Sequence, residues 1–499
     1  MIDAFDNLYV VSDLHLGGRQ DAAVFDSSAQ LAALIRWAAL RAQDSRTAFV
    51  IAGDIVDFLA FPGAAYFNGA TASESLLSLD EEDVPTRAVF DALRLFTACA
   101  QATLVLMVGN HDIELALPEP RQVLLDLVAS DSAALGRVRL VTDGSGYTCA
   151  IGGRRIVCVH GNERDDWNVI DHAALRRQIR DTNLGRRVAP WEPNAGTRLV
   201  IDVMNPVKRS LPFVDLLKPE DEAVPNILLA LDKERRGLGV GQAVRHGIAI
   251  VHRKLVDARR IKSNVLGGDA TDGVPEDDEL DVAALREVDP GDRERLYEAV
   301  ETAWEDDRVP MELVPQEQAR LDAINTMALS MGIGVRSNLR SALRDIAIFD
   351  QGFDPSAPDP TFRALDSWVG RDVDVLIAGH THLERHLVNT PNRPGGIYLN
   401  TGTWIRLIQL QPEFIEEPFF DDLLDALTAP SMAALDAASI NGKKLVVRRR
   451  TVACIERTGD SVTAGLRHVR DDAVDREPFE TGVPRPHSRF TVAHREAAR

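Results

Sequence analysis

The chain has 499 residues, 45% hydrophobic and 26% charged, with a formal net charge of −20. That length accommodates one large domain plus a substantial insertion, and the hydrophobic share supports a full core. The acidic balance disfavours long duplex nucleic acid, whose binding needs an extended basic surface.

In chain order, Leu8-Tyr9-Val10-Val11-Ser12 is a short apolar strand that ends in Asp13-Leu14-His15. Ser28 to Gln43 has helical spacing and predicts the first crossover helix. Ala48-Phe49-Val50-Ile51-Ala52 has the pattern of a strand buried on both faces and breaks into Gly53-Asp54-Ile55-Val56-Asp57. Residues 60–85 mix Gly, Pro, Ser and acids, which predicts a surface loop near the mouth of a site. Val84 to Ala100, opened by Pro85-Thr86, predicts a second helix. A third strand, Thr103 to Val108, ends in Gly109-Asn110-His111-Asp112, and Glu119 to Ser130 predicts a third helix. Val138 to Val159 predicts strands around the turns Asp143-Gly144 and Gly152-Gly153, the last ending in His160-Gly161. Far downstream, Val373 to Ala378 is a fifth strand, ending in Gly379-His380-Thr381-His382.

Between His160 and Gly379 the chain is far too long for an ordinary loop. Ala173–Arg187, Ile227–Arg236, Val240–Ile261, Asp292–Asp306 and Gln316–Met331 have helical periodicity, so a mainly helical insertion over 164–365 is expected. Its charge is divided. Residues 164–262 carry 19 Lys/Arg against 13 Asp/Glu, and 263–365 carry 9 against 23. The basic half, with Arg164, Arg176, Arg177, Arg180, Arg186 and Arg187, either forms a lid over the site or presents solvated helix faces. The acidic half is left for solvent or a protein partner. Gly396 to Trp404 resumes the sheet, Lys443–Glu456 and Ser461–Arg470 predict a hairpin, and 471–499 a poorly ordered tail. The chain therefore divides into a core of 1–163 and 366–470, the insertion, and the tail.

An aspartate after a strand commonly caps the next element, and a lone histidine is commonly a core or turn residue. Five strands that each deliver Asp, His or Asn at the carboxyl end are a different matter, because that end lines the ligand crevice of an open α/β sheet. Asp, His and Asn without thiolates suit divalent metals such as Mn, Fe, Zn or Ni. There are more donors than one ion needs, and two ions sharing a carboxylate would use them all.

The array Asp-x-His, Gly-Asp-x-x-Asp, Gly-Asn-His-Asp, His-Gly, Gly-His-x-His resembles the calcineurin-like metallophosphoesterase superfamily, in order, over roughly residues 8–163 and 366–410. The resemblance implies an α/β/β/α four-layer sandwich and a binuclear metal centre. Asp13, His15 and His382 would hold one metal and Asn110, His160 and His380 the other, with Asp54 bridging. Manganese is the first expectation, with iron, zinc or nickel also suited. His111 would contact the phosphate and protonate the leaving group, with Asp112 as its orienting partner. Asp57 would lie behind the ligands or simply start a helix. Ser12-Asp13-Leu14-His15-Leu16-Gly17 and the placement of the insertion are similar to pyrophosphatases that cleave a UDP-sugar lipid precursor, although those carry Arg where this chain has His111. The signatures of the superfamily's protein phosphatases are absent. The implied activity is hydrolysis of a phosphoester or pyrophosphate bond in a small or nucleotide-like anion. A nuclease, a cyclic-nucleotide phosphodiesterase or a non-catalytic metal-binding scaffold are the alternatives. With no basic leader, no apolar run of spanning length, and Cys99, Cys149, Cys158 and Cys454 lacking CxxC pairing, a cytoplasmic protein without disulfides is expected.

Overall fold

A computed structural model describes residues 2–18, 23–63, 65–188, 190–208, 211–217, 227, 228, 230, 231, 234, 335–348, 353–480, 490 and 491. By packing, the chain divides into two compact units, Met1–Asp221 with Leu343–Arg499, and Glu222–Ala342. The segment 164–221, expected within the insertion, thus packs with the first unit. In the second unit, buried helical Ile227, Leu228, Ala230 and Leu231 and the ion pair Arg336–Glu234 (3.3 Å) fall among the described residues. The expected helices Val240–Ile261, Asp292–Asp306 and Gln316–Met331 lie outside them, as does most of the acidic half.

The first unit is a mixed α/β fold built on two sheets. One contains the parallel strands β2 (Asn7–Val11), β3 (Thr47–Ala52), β4 (Ala102–Met107) and β5 (Val138–Val141). It is extended past β2 by the antiparallel hairpin Thr451–Thr458 and Ser461–Val474. The other sheet has the order β1 (Asp3–Phe5), β6 (Tyr147–Ile151), β7 (Arg154–Cys158), β8 (Val375–Ala378), β10 (Arg393–Thr401), β9 (Glu384–Thr390). Strands β2, β3 and β4 are apolar on both faces and almost wholly buried, as covered parallel strands must be.

The sheets meet face to face. Val10, Val50, Ala52, Val105 and Met107 from the first pack against Cys149, Ile156, Cys158, Val375, Ile377 and Leu399 from the second. Helices α1 (Ser28–Asp44) and α3 (Val84–Ala98) cover the outside of the first sheet. Helix Pro360–Trp368 covers the second, placing Phe362 and Leu365 against Leu376, Ala378 and Tyr398. The expected order helix, sheet, sheet, helix is the order found.

Two expectations need correction. Residues 60–85 are not a loop throughout: Gly69–Glu81 forms α2. Asn68 caps it, its side chain accepting from the N–H groups of Ala70 (3.0 Å) and Thr71 (3.1 Å), and Ala72, Leu76 and Leu79 form its buried stripe. The region after Asp471 does not begin as a tail. The strand Ser461–Val474 runs straight through it, and Glu477–Phe479 pairs back onto that strand.

Register sets the site. Val11 pairs with Ile51 and Ile51 with Leu106, so three parallel strands end at one level and release Asp13, Asp54 and Asn110 together. In the facing sheet Cys158 pairs with Ile377, so His160 and His380 emerge together.

Candidate metal centre

The seven donors expected from the sequence meet at one place. Asp13, His15, Asp54 and His382 form one group whose ligand atoms lie within 4.8 Å of one another, and Asp54, His160 and His380 form a second. Asp54 belongs to both. Asn110 joins the second group through Oδ1, 3.2 Å from His160 Nε2.

The backbone is bent to achieve this. Asp13 (φ 53°), His15 (46°), Asp54 (51°), His380 (70°) and His382 (60°) all occupy the left-handed region, which costs a non-glycine residue about 1–3 kcal/mol. Surrounding hydrogen bonds hold them there. Asp54 O accepts from the N–H of Leu14 (2.9 Å) and of His15 (3.0 Å), and Asp13 O accepts from Trp404 N–H (3.2 Å) and the Thr403 hydroxyl (2.7 Å). The Asn400-Thr401-Gly402 run at the end of β10 is explained by the same clamp. Asn400 Nδ2 donates to Gly379 O (2.7 Å), Thr401 Oγ1 donates to Ala378 O (3.2 Å), and Asn400 Oδ1 accepts from Gly402 N–H (2.9 Å).

Ring tautomers are set from behind. His160 Nδ1 lies 2.8 Å from Ala52 O, and a carbonyl only accepts, so Nδ1 carries the proton and Nε2 presents a lone pair. That nitrogen faces two acceptors, Asn110 Oδ1 and Asp54 Oδ2, each at 3.2 Å. Asp54 Oδ2 is buried with no hydrogen bond among the described residues. Likewise His15 Nε2 and His382 Nε2 are 3.1 Å apart, and His382 Nε2 is 3.3 Å from Asp13 Oδ1. Atoms that share an ion at about 2.1 Å sit roughly 3 Å apart. The donor set therefore fits divalent cations.

The electrostatics agree. Burial disfavours a charged ring, yet Asp54 and Asp13 raise His160 to about 10, so without a cation a proton is drawn into its place. Burial and the neighbouring His111 lower His15 to about 3, keeping it a neutral donor. Burial raises Asp13; it pushes Asp54 the same way, but the positive rings around Asp54 hold its carboxyl well below the usual range.

His111 and Asp112 separate. The His111 N–H donates to Asp54 Oδ1 (2.9 Å), and its ring stands edge-on to His15 with centroids 4.8 Å apart. The carboxylate facing that ring is Asp57, with Oδ1 3.7 Å from Nδ1. Asp57 precedes the turn Phe58–Ala60 but makes no capping bond to it. Asp112 points elsewhere. Its carboxylate accepts from Ile55 N–H (2.6 Å) and Gly109 N–H (2.7 Å), tying the ends of β3 and β4 together, and burial with Asp54's charge raises it to about 7.

Lys208 is a residue the sequence reading did not single out. It pairs with Asp215 at 3.3 Å, and its charge helps hold Asp57 ionised. Nothing in its local sequence marks it. The arginines of helix His172–Asn183 and the turn after it are exposed, and several face their own neighbours: Arg177 with Asp171 (3.9 Å), Arg180 and Arg186 with Asp181 (2.8 and 3.4 Å). Among the described residues these arginines thus face solvent and their own acidic neighbours.

No described helix is long and apolar enough to cross a membrane. A comparison with curated proteins finds no match. Residues 7–210, which contain five of the seven donors, match the family model of the calcineurin-like phosphoesterases. His380 and His382 lie beyond the matched stretch and reach the centre through β8. Residues 7–210 are thus similar to the calcineurin-like phosphoesterases, a family whose members act on phosphoesters and typically bind divalent metals.

Proposed function

We propose that this chain is a binuclear, divalent-metal-dependent phosphoesterase that hydrolyses a phosphoester or pyrophosphate bond of a small or nucleotide-like anion. The observation that carries the reading is Asp54, a buried carboxylate shared by two donor groups. Asp13, His15 and His382 would hold one ion, and Asn110, His160 and His380 the other. Two such ions, manganese foremost and iron, zinc or nickel by the same donor chemistry, supply a hydroxide near neutral pH and neutralise phosphoryl oxygens. The residues do the rest. Asp54 keeps the two positions at a fixed separation. His111, with Nδ1 towards Asp57 and the ring 17% exposed, would hold a proton for the departing oxygen. Four free cysteines, three of them buried, suit a cytoplasmic setting.

The test is Asp54→Asn. The amide retains an acceptor for the His111 N–H, so the fold should persist, while manganese uptake and turnover should both collapse. Full activity in this variant would refute the shared-carboxylate centre. A screen of monoesters, linear diesters, cyclic nucleotides and nucleotide-sugar pyrophosphates with manganese separates the substrate classes. Two bound ions without turnover on any of them would favour the scaffold.

A further inference from the structure

We propose that Asp165 is the positioning residue for His380: it takes the proton of Nε2 as a hydrogen bond and so turns the lone pair of Nδ1 towards the metal position shared with Asp54 and His160. This role rests on the binuclear reading above. Asp165 follows the turn Asn162–Arg164, directly after His160-Gly161. Gly161 (φ 127°) lets that turn run beside β8, since a Cβ there would lie 2.9 Å from His380 Cβ. Glu163 closes the turn by accepting from Gly161 N–H (2.7 Å), and Asp165 N–H donates to Asn162 O (3.1 Å).

The carboxylate is fixed before it meets the ring. Oδ1 accepts from Trp167 N–H (2.8 Å), and Oδ2 accepts from Asn168 Nδ2 (2.7 Å). Oδ2 then lies 2.7 Å from His380 Nε2. An ionised carboxylate only accepts, so the proton on the neutral ring sits on Nε2. The arrangement mirrors His160, where Ala52 O takes the Nδ1 proton and Nε2 faces the donors. Two histidines at one metal position would thus bind through opposite nitrogens, one oriented by a carbonyl and one by a carboxylate. The carboxylate does more, because a charge-assisted hydrogen bond holds the ring more firmly than a bond to a carbonyl.

Asp165→Ala and Asp165→Asn test this. Manganese is titrated calorimetrically into the metal-free full-length protein, and ring 15N spectra of the metal-free protein report which nitrogen of His380 carries the proton. Asp165→Ala should weaken one of two binding events by about 10–100-fold and leave the other unchanged. Asp165→Asn retains an acceptor without the charge and should fall between. Its spectrum keeps the proton on Nε2, which a role confined to stabilising the turn does not require. Two ions bound with affinities within threefold of the parent in Asp165→Ala would overturn this role alone. So would a parent His380 protonated on Nδ1. A parent protein that takes up fewer than two ions would overturn the proposed function and this role together. Should Asp165→Ala fail to fold, the Asp165→Asn titration and the parent spectrum decide the matter.

Discussion

Gly109 offers a sharp test of how tightly the centre is built. It links β4 to Asn110, and its backbone is not in the region that requires glycine. Space is the constraint. A Cβ added there would sit 2.6 Å from Asp54 N and 2.8 Å from His160 Nε2, and would press on Asp54 Oδ1. Ordinary contacts need about 3.5 Å, so Asp54, His160 or the chain at Gly109 must yield by about 0.7–0.9 Å. Ligand constellations tolerate about 0.5 Å. Gly109→Ala should therefore lower kcat/KM on an aryl phosphodiester by about 100-fold. It should weaken manganese binding in parallel and cost about 1–3 kcal/mol of stability from overpacking. Gly136→Ala is the control, since its Cβ would meet only Ala133 O at 3.4 Å and Ser132 O at 3.5 Å. The measurements are steady-state kinetics, calorimetric metal titration and urea unfolding. A Gly109→Ala protein within threefold of the parent in both rate and metal affinity would refute the packing argument.

Two further outcomes follow from the same geometry. His111→Ala should retain its metal content yet slow hydrolysis of alkyl esters by about 100–1,000-fold. Esters with a p-nitrophenolate leaving group, which needs no proton, should be far less affected, and equal losses on both would refute the acid role. Glu114 is buried, accepts from Phe67 N–H (2.7 Å), and is pushed up to about 7 by burial. Its folded state therefore holds a proton that the unfolded chain releases near 4.5, so its contribution to stability is full below that pH and is lost as pH rises towards 7. Glu114→Gln should match the parent at pH 4.5 and exceed it by up to about 3 kcal/mol at pH 8 in urea unfolding. A parent that is the more stable at pH 8 would contradict the assignment.

Much of the centre was legible because its chemistry sits at strand ends. An apolar run that breaks into Gly-Asp or Gly-His reports both the strand and the direction in which the next side chain is delivered. Register does the rest, and register follows from buried parallel strands. What the sequence hid was orientation. Asp112 adjoins His111 in the chain and Asp57 follows a different strand, yet the bends after β3 and β4 turn Asp57 to the ring and leave Asp112 to bond backbone. Helix α2 was obscured by its Gly, Ser and Asp content, although the Asn68 cap and the 72/76/79 spacing were there to be read. The far end of strand Ser461–Val474 is polar and exposed, so its composition is that of a tail and only its pairing shows it to be a strand. Asp165 and Lys208 carry no motif, since their partners are fixed only by tertiary packing.

The centre also has a timetable. His15 and His382, whose ring nitrogens end 3.1 Å apart, are separated by 367 positions in the chain. At a synthesis rate of about 5–20 residues per second, roughly 10–45 s pass between the appearance of His160 and that of His382. During that interval Asp13, Asp54 and Asn110 are already out, with the inner face of the first sheet lacking the β8 and β10 side of its cover. A metal ion encountered then would find carboxylates without their full complement of imidazoles, and so only a weak, open site. If the centre takes up metal as proposed, tight uptake has to wait for the second sheet to close, and loading becomes a late event in the life of the polypeptide.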